Sequence, residues 1–158
     1  TILAALMAAA AAPGIVLGEA VEAAFASMAR LPTGAARILA PAARAMTDVT
    51  GFGLAGHLLE MLAASGTAAT VTALPFLPGA VALAAAGQAS SLAPENRATT
   101  LDRVTAPATP RTALLWDPQT AGGLLAAVPA DRAAEVLAAL AAAGEAAWQI
   151  GRVTEGPP

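Results

Sequence analysis

Alanine supplies much of the apolar character of this chain, and that bias narrows the folds open to it. Alanine favours helix but buries little area per side chain, so a core built on it must close up tightly. The larger share of burial then falls to scattered Leu, Ile, Val, Phe and Met residues. With 57% hydrophobic residues over 158 positions, the chain can still bury enough surface for one globular, helix-rich domain.

Charge and residue types exclude several classes of function. The formal net charge is −3, and the eight basic residues are all arginines, spread singly from Arg30 to Arg152. A phosphate backbone calls for a clustered basic surface, so no nucleic-acid partner is expected. There is no lysine, so any chemistry that needs one must borrow it from another polypeptide. There is also no cysteine, which removes disulfides, thiolate metal sites and thiol nucleophiles and agrees with a reducing, cytoplasmic location. The opening run "TILAALMAAAAAPG" is broken by Pro13 and Gly14 before it could span a bilayer, and no basic segment precedes it. It reads as buried strand followed by helix, with no membrane partner. The first residue is Thr1 rather than methionine, which points to a processed or truncated fragment.

Periodicity alternates between strand and helix. After an apolar start at Ile2 to Met7, Val21, Ala24, Phe25 and Met28 share one face of a helix over Gly18 to Arg30, with Glu19 and Glu22 in its first turn. A second helix is expected from Gly34 to Ala43, with Ile38 and Leu39 inward and Pro41 near its end. Then come a strand from Arg44 to Val49, a helix from Leu54 to Ala64, a strand from Ala69 to Leu74 and a helix from Gly79 to Ala86. Residues 87 to 110, rich in Ser, Thr and Pro, read as a long irregular surface excursion. The last third predicts strands at Thr112 to Trp116, Leu124 to Val128 and Ala147 to Val153, with a helix from Asp131 to Ala143 for which Asp131 is the candidate cap. The implied class is α+β, layered, with helices covering a mixed sheet.

Two polar islands interrupt the apolar background. In "MTDVTGFGLAGHLLEM", Thr47, Asp48 and Thr50 stand at a strand end before Gly51 and Gly53, where the backbone can turn tightly and bring amides near an anion. A carboxylate there suits Mg²⁺ carried on a nucleotide phosphate, because that ion takes oxygen ligands. It equally suits a cap that accepts amide hydrogen bonds. In "DPQTAGGLL", Asp117 and Pro118 start a turn, and Gly122 with Gly123 leaves room for a close backbone, a ligand or a partner domain. His57, the single histidine, reads as a packing or surface residue able to pair with Glu60. Trp116 and Trp148 read as core or boundary aromatics, Met7, Met28, Met46 and Met61 as packing, and Asn96 with Arg97 as a solvated turn.

The strings "TDVTGFGLAGHLLEM" and "DPQTAGGLL", with "EAAFASM", "LPFLPGA" and "IGRVTEG", resemble the C-terminal half of the selenophosphate synthetase (selenide, water dikinase) family. That family lies in the aminoimidazole-ribonucleotide-synthetase-like superfamily. Its usual serine is Ala121 here, and a usually smaller residue is Trp116, so position 121 offers no hydroxyl. The resemblance implies that residues 1–158 are the C-terminal domain of a two-domain, homodimeric enzyme that makes selenophosphate from selenide, ATP and water, releasing AMP and phosphate. It places the nucleophilic cysteine or selenocysteine and the catalytic lysine on an N-terminal ATP-binding domain, so no catalytic residue is expected in this chain. Asp48 matches the family's C-terminal Mg²⁺ ligand, and Thr47, Thr50, Gly51, Gln119, Thr120, Gly122 and Gly123 fall at the cofactor-binding positions. The competing readings are the C-terminal domain of another superfamily kinase or synthetase, and a non-catalytic binding or scaffold module.

Overall fold

The computed structural model describes residues 18–157. The apolar opening at Ile2 to Met7 lies outside the described residues. Helix α1 (Gly18–Met28) leads into α2 (Thr33–Leu39), which ends just before Pro41. Strand β1 (Ala45–Asp48) delivers the first island to α3 (Gly53–Ser65), and β2 (Thr67–Val71) follows at once. Two short helices, α4 (Ala80–Ala85) and α5 (Ala93–Ala98), precede α6 (Pro110–Ala113) and a 3-10 turn at Leu114–Trp116. Strand β3 (Leu124–Ala127), a 3-10 turn (Ala130–Arg132), α7 (Ala133–Ala142) and β4 (Gly151–Glu155) complete the order.

The α+β class stands, and the strands form two antiparallel pairs among the described residues, where one mixed sheet was expected. β1 pairs with β3, placing Thr47 opposite Leu125 and Asp48 opposite Leu124. β2 pairs with β4, from Thr67 opposite Glu155 to Val71 opposite Gly151. Helix α3 touches both ladders and the 3-10 turn, and it is the element through which they are related.

Several expectations change for local reasons. Thr112 to Trp116 is helical, not a strand, because Thr109 and Thr112 form a reciprocal capping box and Pro110 occupies the first turn. The tight turn that follows buries Leu114, Leu115 and Trp116 together, which a strand, alternating its side chains, cannot do. The final strand begins at Gly151, not Ala147, since the amides of Thr72 and Ala73 both donate to Ile150 O and close the ladder there. Asp131 sits in a 3-10 turn, and the N-cap of α7 is Arg132, which makes no side-chain cap bond. The 87–110 excursion contains α5, started by Pro94 with Glu95 in its first turn. Phe25 is 55% exposed although its spacing put it on the inward face, and Met46 is also exposed, while Met28 and Met61 pack on the core.

That core confirms the alanine argument. Ala24 and Ala80 are fully buried, and with Ala55 they surround Leu54, Leu83, Leu114, Leu115, Leu125 and Trp116. Trp116 supplies the bulk that alanine cannot, and Thr100 Oγ1 accepts its indole N–H at 2.7 Å. Trp148, by contrast, is 59% exposed. A smaller cluster of Leu39, Ala42, Val136 and Leu140 joins α2 to α7.

Gly53, which opens α3 with φ of +70°, combines a left-handed backbone with a close approach. A Cβ there would stand 2.7 Å from Leu115 O. Gly53→Ala is therefore expected to cost about 1–3 kcal/mol, from the left-handed backbone and the clash together. Urea unfolding of the two proteins side by side measures this; equal midpoints would mean that the turn relaxes freely.

Candidate functional site

The two islands form one assembly. Val49 N–H donates to Gly123 O at 3.0 Å, and Gln119 N–H donates to Thr50 O at 2.9 Å. Gly122 lies directly against the Val49 carbonyl, where any Cβ would overlap the oxygen. The room left by the paired glycines is thus filled, at Gly122, by a neighbouring backbone. Gln119 is buried, and its Nε2 donates to Asp117 O at 3.0 Å.

Asn96 ties the same joint from a third direction. Its Nδ2 donates to Gly51 O at 2.8 Å and to Trp116 O at 3.0 Å, so one amide satisfies a carbonyl from each side of the joint. The solvated-turn reading is therefore wrong for Asn96, which is 8% exposed. Thr100 Oγ1 donates to Asn96 O at 3.1 Å and holds the end of α5. Arg97 is exposed and places its guanidinium 5.3 Å from the centroid of the Trp116 ring. In sequence, the sign that Asn96 sits on a helix is Pro94-Glu95, a helix start embedded in loop composition.

Asp48 ends β1 with its side chain exposed. The capping alternative fails, because Phe52 is the N-cap of α3 and no side-chain cap bond is made there. Thr47, half-buried, donates through Oγ1 to Asp48 O at 3.2 Å. Thr50, also half-buried, has Oγ1 3.1 Å from His57 Nε2, and His57 Nδ1 lies 3.1 Å from Glu60 Oε2. The His57–Glu60 pair was expected from its spacing; the contact back to Thr50 was not, since it depends on how the Gly-Phe-Gly turn folds. The imidazole is buried beneath Phe52, with ring centroids 5.6 Å apart. Thr120 and Gly123 are exposed on the second island.

The donors offered here are oxygens: one free carboxylate and two hydroxyls. Such a set fits Mg²⁺ in type. It does not enclose an ion, since among the described residues no group of three or more His, Cys, Asp or Glu side chains converges. An apolar groove of about 850 Å³ runs between the two ladders, walled by residues such as Val49, Val71, Leu125 and Ile150; Asp48 does not line it.

Asp117 is the surprise of the second island. It is only 2% exposed, and its Oδ2 has no hydrogen-bond partner. Burial pushes its carboxyl up from 3.8 to about 6, opposed in part by a hydrogen bond from the Ser90 backbone. Turn chemistry foretold the Asp-Pro bend but not that the acid faces inward.

Comparison with known proteins agrees with this architecture. Residues 5–158 match the family described as "AIR synthase related protein, C-terminal domain". The chain belongs to that family. It is 43% identical over 119 residues to a selenide, water dikinase of Myxococcus xanthus, covering 72% of this chain and 34% of that protein. It is 40% identical over 135 residues to one of Nitratidesulfovibrio vulgaris, covering 82% and 39% of the two chains. A third, from Burkholderia pseudomallei, is 42% identical over 130 residues, covering 78% of this chain and 36% of its own. The chain therefore aligns with little more than a third of each of these relatives. No helix among the described residues is long and apolar enough to cross a membrane.

The Asp117 environment sets a pH dependence. Because folding raises its pKa, the native state holds the proton more tightly than the unfolded chain, and stability falls as pH rises from about 4 through about 6. Above that window the charged, buried carboxyl costs about 3 kcal/mol. Asp117→Asn is expected to gain stability over the parent at pH 7.5 and to lose that advantage by pH 3.5. Urea titrations across this range read the difference directly, and a gap that does not change with pH would show that Asp117 is solvated.

Proposed function

We propose that this chain is the C-terminal domain of a two-domain selenide, water dikinase, which makes selenophosphate from selenide, ATP and water with release of AMP and phosphate. The observation that carries the reading is Asp48: an exposed carboxylate at a strand end, without a hydrogen-bond or ion-pair partner among the described residues, just ahead of the turn that starts a helix. The relatives' names, together with alignments confined to about a third of their length, support the assignment to one part of a larger enzyme.

In this reading Asp48 gives one oxygen ligand to Mg²⁺ on the ATP phosphates, and the remaining acids, the lysine and the selenium-handling nucleophile stand on the N-terminal domain. The absence of lysine and cysteine here fits that division. The metal, when bound, neutralises charge on the phosphates during phosphoryl transfer. In this reading Thr50 and Gly51, which follow Asp48 into the turn, and the exposed Thr120 and Gly123 meet the cofactor, while Thr47 alternates to the other face of β1. Gln119 and Gly122 act by holding the two islands together. The full enzyme is expected to be a cytoplasmic homodimer.

Two measurements test this. In the complete enzyme, Asp48→Asn should lower selenide-dependent AMP formation at least about 100-fold, while changing stability by less than about 0.5 kcal/mol because the side chain is exposed. Unaltered turnover would remove Asp48 from the metal site. Titrating this chain alone with Mg-ATP in a calorimeter should give little heat, since a lone carboxylate positions nothing. A micromolar dissociation constant would mean that the chain carries a whole nucleotide site.

A further inference from the structure

Thr50, His57 and Glu60 form a hydrogen-bonded chain with a definite direction. A carboxylate can only accept, so the 3.1 Å contact between Glu60 Oε2 and His57 Nδ1 requires the proton to be on Nδ1. In the neutral ring Nε2 is then bare, and the group 3.1 Å from it is the Thr50 hydroxyl, which must donate. Glu60 lies three residues from His57 on the same helix, and Phe52 covers the ring, so the direction is set within α3 and its turn. Thr50 Oγ1 has no other hydrogen-bond partner among the described residues; its single hydrogen is committed to His57 and its lone pairs remain free.

Thr50 follows Asp48 by two residues, in the turn that leads into α3. A threonine hydroxyl at an Mg-phosphate site can either donate to a phosphate oxygen or offer lone pairs to the ion or to water bound on it. We propose that His57 is a positioning residue which, turned by Glu60, takes up the Thr50 hydroxyl hydrogen and so makes Thr50 Oγ1 an acceptor facing the cation held by Asp48. The cation side of the proposal rests on the dikinase reading above; the direction of the hydrogen-bond chain does not. A histidine that merely packed would leave Thr50 free to donate in either direction and would be indifferent to Glu60.

The chain has one histidine, so its ring can be read without assignment. With ¹⁵N-histidine label, long-range ¹H–¹⁵N correlation of the neutral ring should show the proton on Nδ1 and a bare Nε2. In Glu60→Ala the proton should move to Nε2. Finding Nε2–H in the parent chain overturns the proposal outright. In the complete enzyme, Glu60→Ala and Thr50→Val should each raise the Mg²⁺ concentration for half-maximal rate about 10-fold, as outer partners of metal sites do, with the ATP KM at saturating Mg²⁺ little changed. Thr50→Ser, which keeps the hydroxyl, should recover most of what Thr50→Val loses. A Thr50→Val enzyme with unaltered Mg²⁺ dependence overturns the cation role even when Asp48→Asn abolishes turnover. A parent enzyme with no dikinase activity overturns that role together with the function, while the tautomer measurement still decides the hydrogen-bond chain.

Discussion

Gly122 rests on the Val49 carbonyl with no side chain between them, and the amides of Val49 and Gln119 bond across the same seam to Gly123 O and Thr50 O. Backbone contact at this distance leaves no freedom for one island to slide on the other. β1 and β3 are then held in register, with Asp48 opposite Leu124, and α3 must leave the turn over the Leu115 carbonyl. The placement of Asp48, Thr50 and Gln119 follows from that seam. Asn96 reinforces it by bonding to carbonyls on both sides, and the buried Trp116 oxygen would otherwise carry a desolvation cost of about 1–3 kcal/mol.

The seam also explains how an alanine-rich chain can be specific. Alanine methyls bring elements together but interlock poorly, because they present little shape to one another. Here uniqueness comes from a large indole seated among leucines and alanines and from directed hydrogen bonds at its edge. The Trp116 indole N–H ends on Thr100, itself bound to Asn96 O. One large side chain is thereby linked to the polar framework around the two islands.

Much of this was legible in the residues. Helical spacing located α1, α3 and α7 to within a few positions, and the β-branched "ATVTAL" run marked β2. The islands were visible as polar strings with glycines, and the His57–Glu60 pair as an i, i+3 spacing. What escaped was set by distant partners. Thr112 to Trp116 has an apolar content that suits a strand, and the capping box at Thr109 decides otherwise. Asn96 belongs to a segment whose composition signals loop, and its value arises from carbonyls 45 and 20 residues away. No local pattern reports such a contact.

Asp48 and Asp117 show how the fold divides similar sequence between opposite tasks. Each opens a short polar string with a hydroxyl and glycines, and periodicity alone cannot rank them. Asp117 is drawn under the surface, where one oxygen is left without a partner and desolvation resists its charge. A carboxyl in that state is poorly suited to hold a cation, because its burial already disfavours the charged form. Asp48 lies where the β1 backbone has already spent its amides on the ladder, and its carboxylate is left pointing at solvent with nothing of the described chain to neutralise it. The seam uses Gln119, Gly122, Gly123 and Asn96 on internal contacts and leaves the side chains of Asp48 and Thr120 exposed. The exposed edge that carries Asp48 is therefore defined by what the fold has not already consumed in holding itself together.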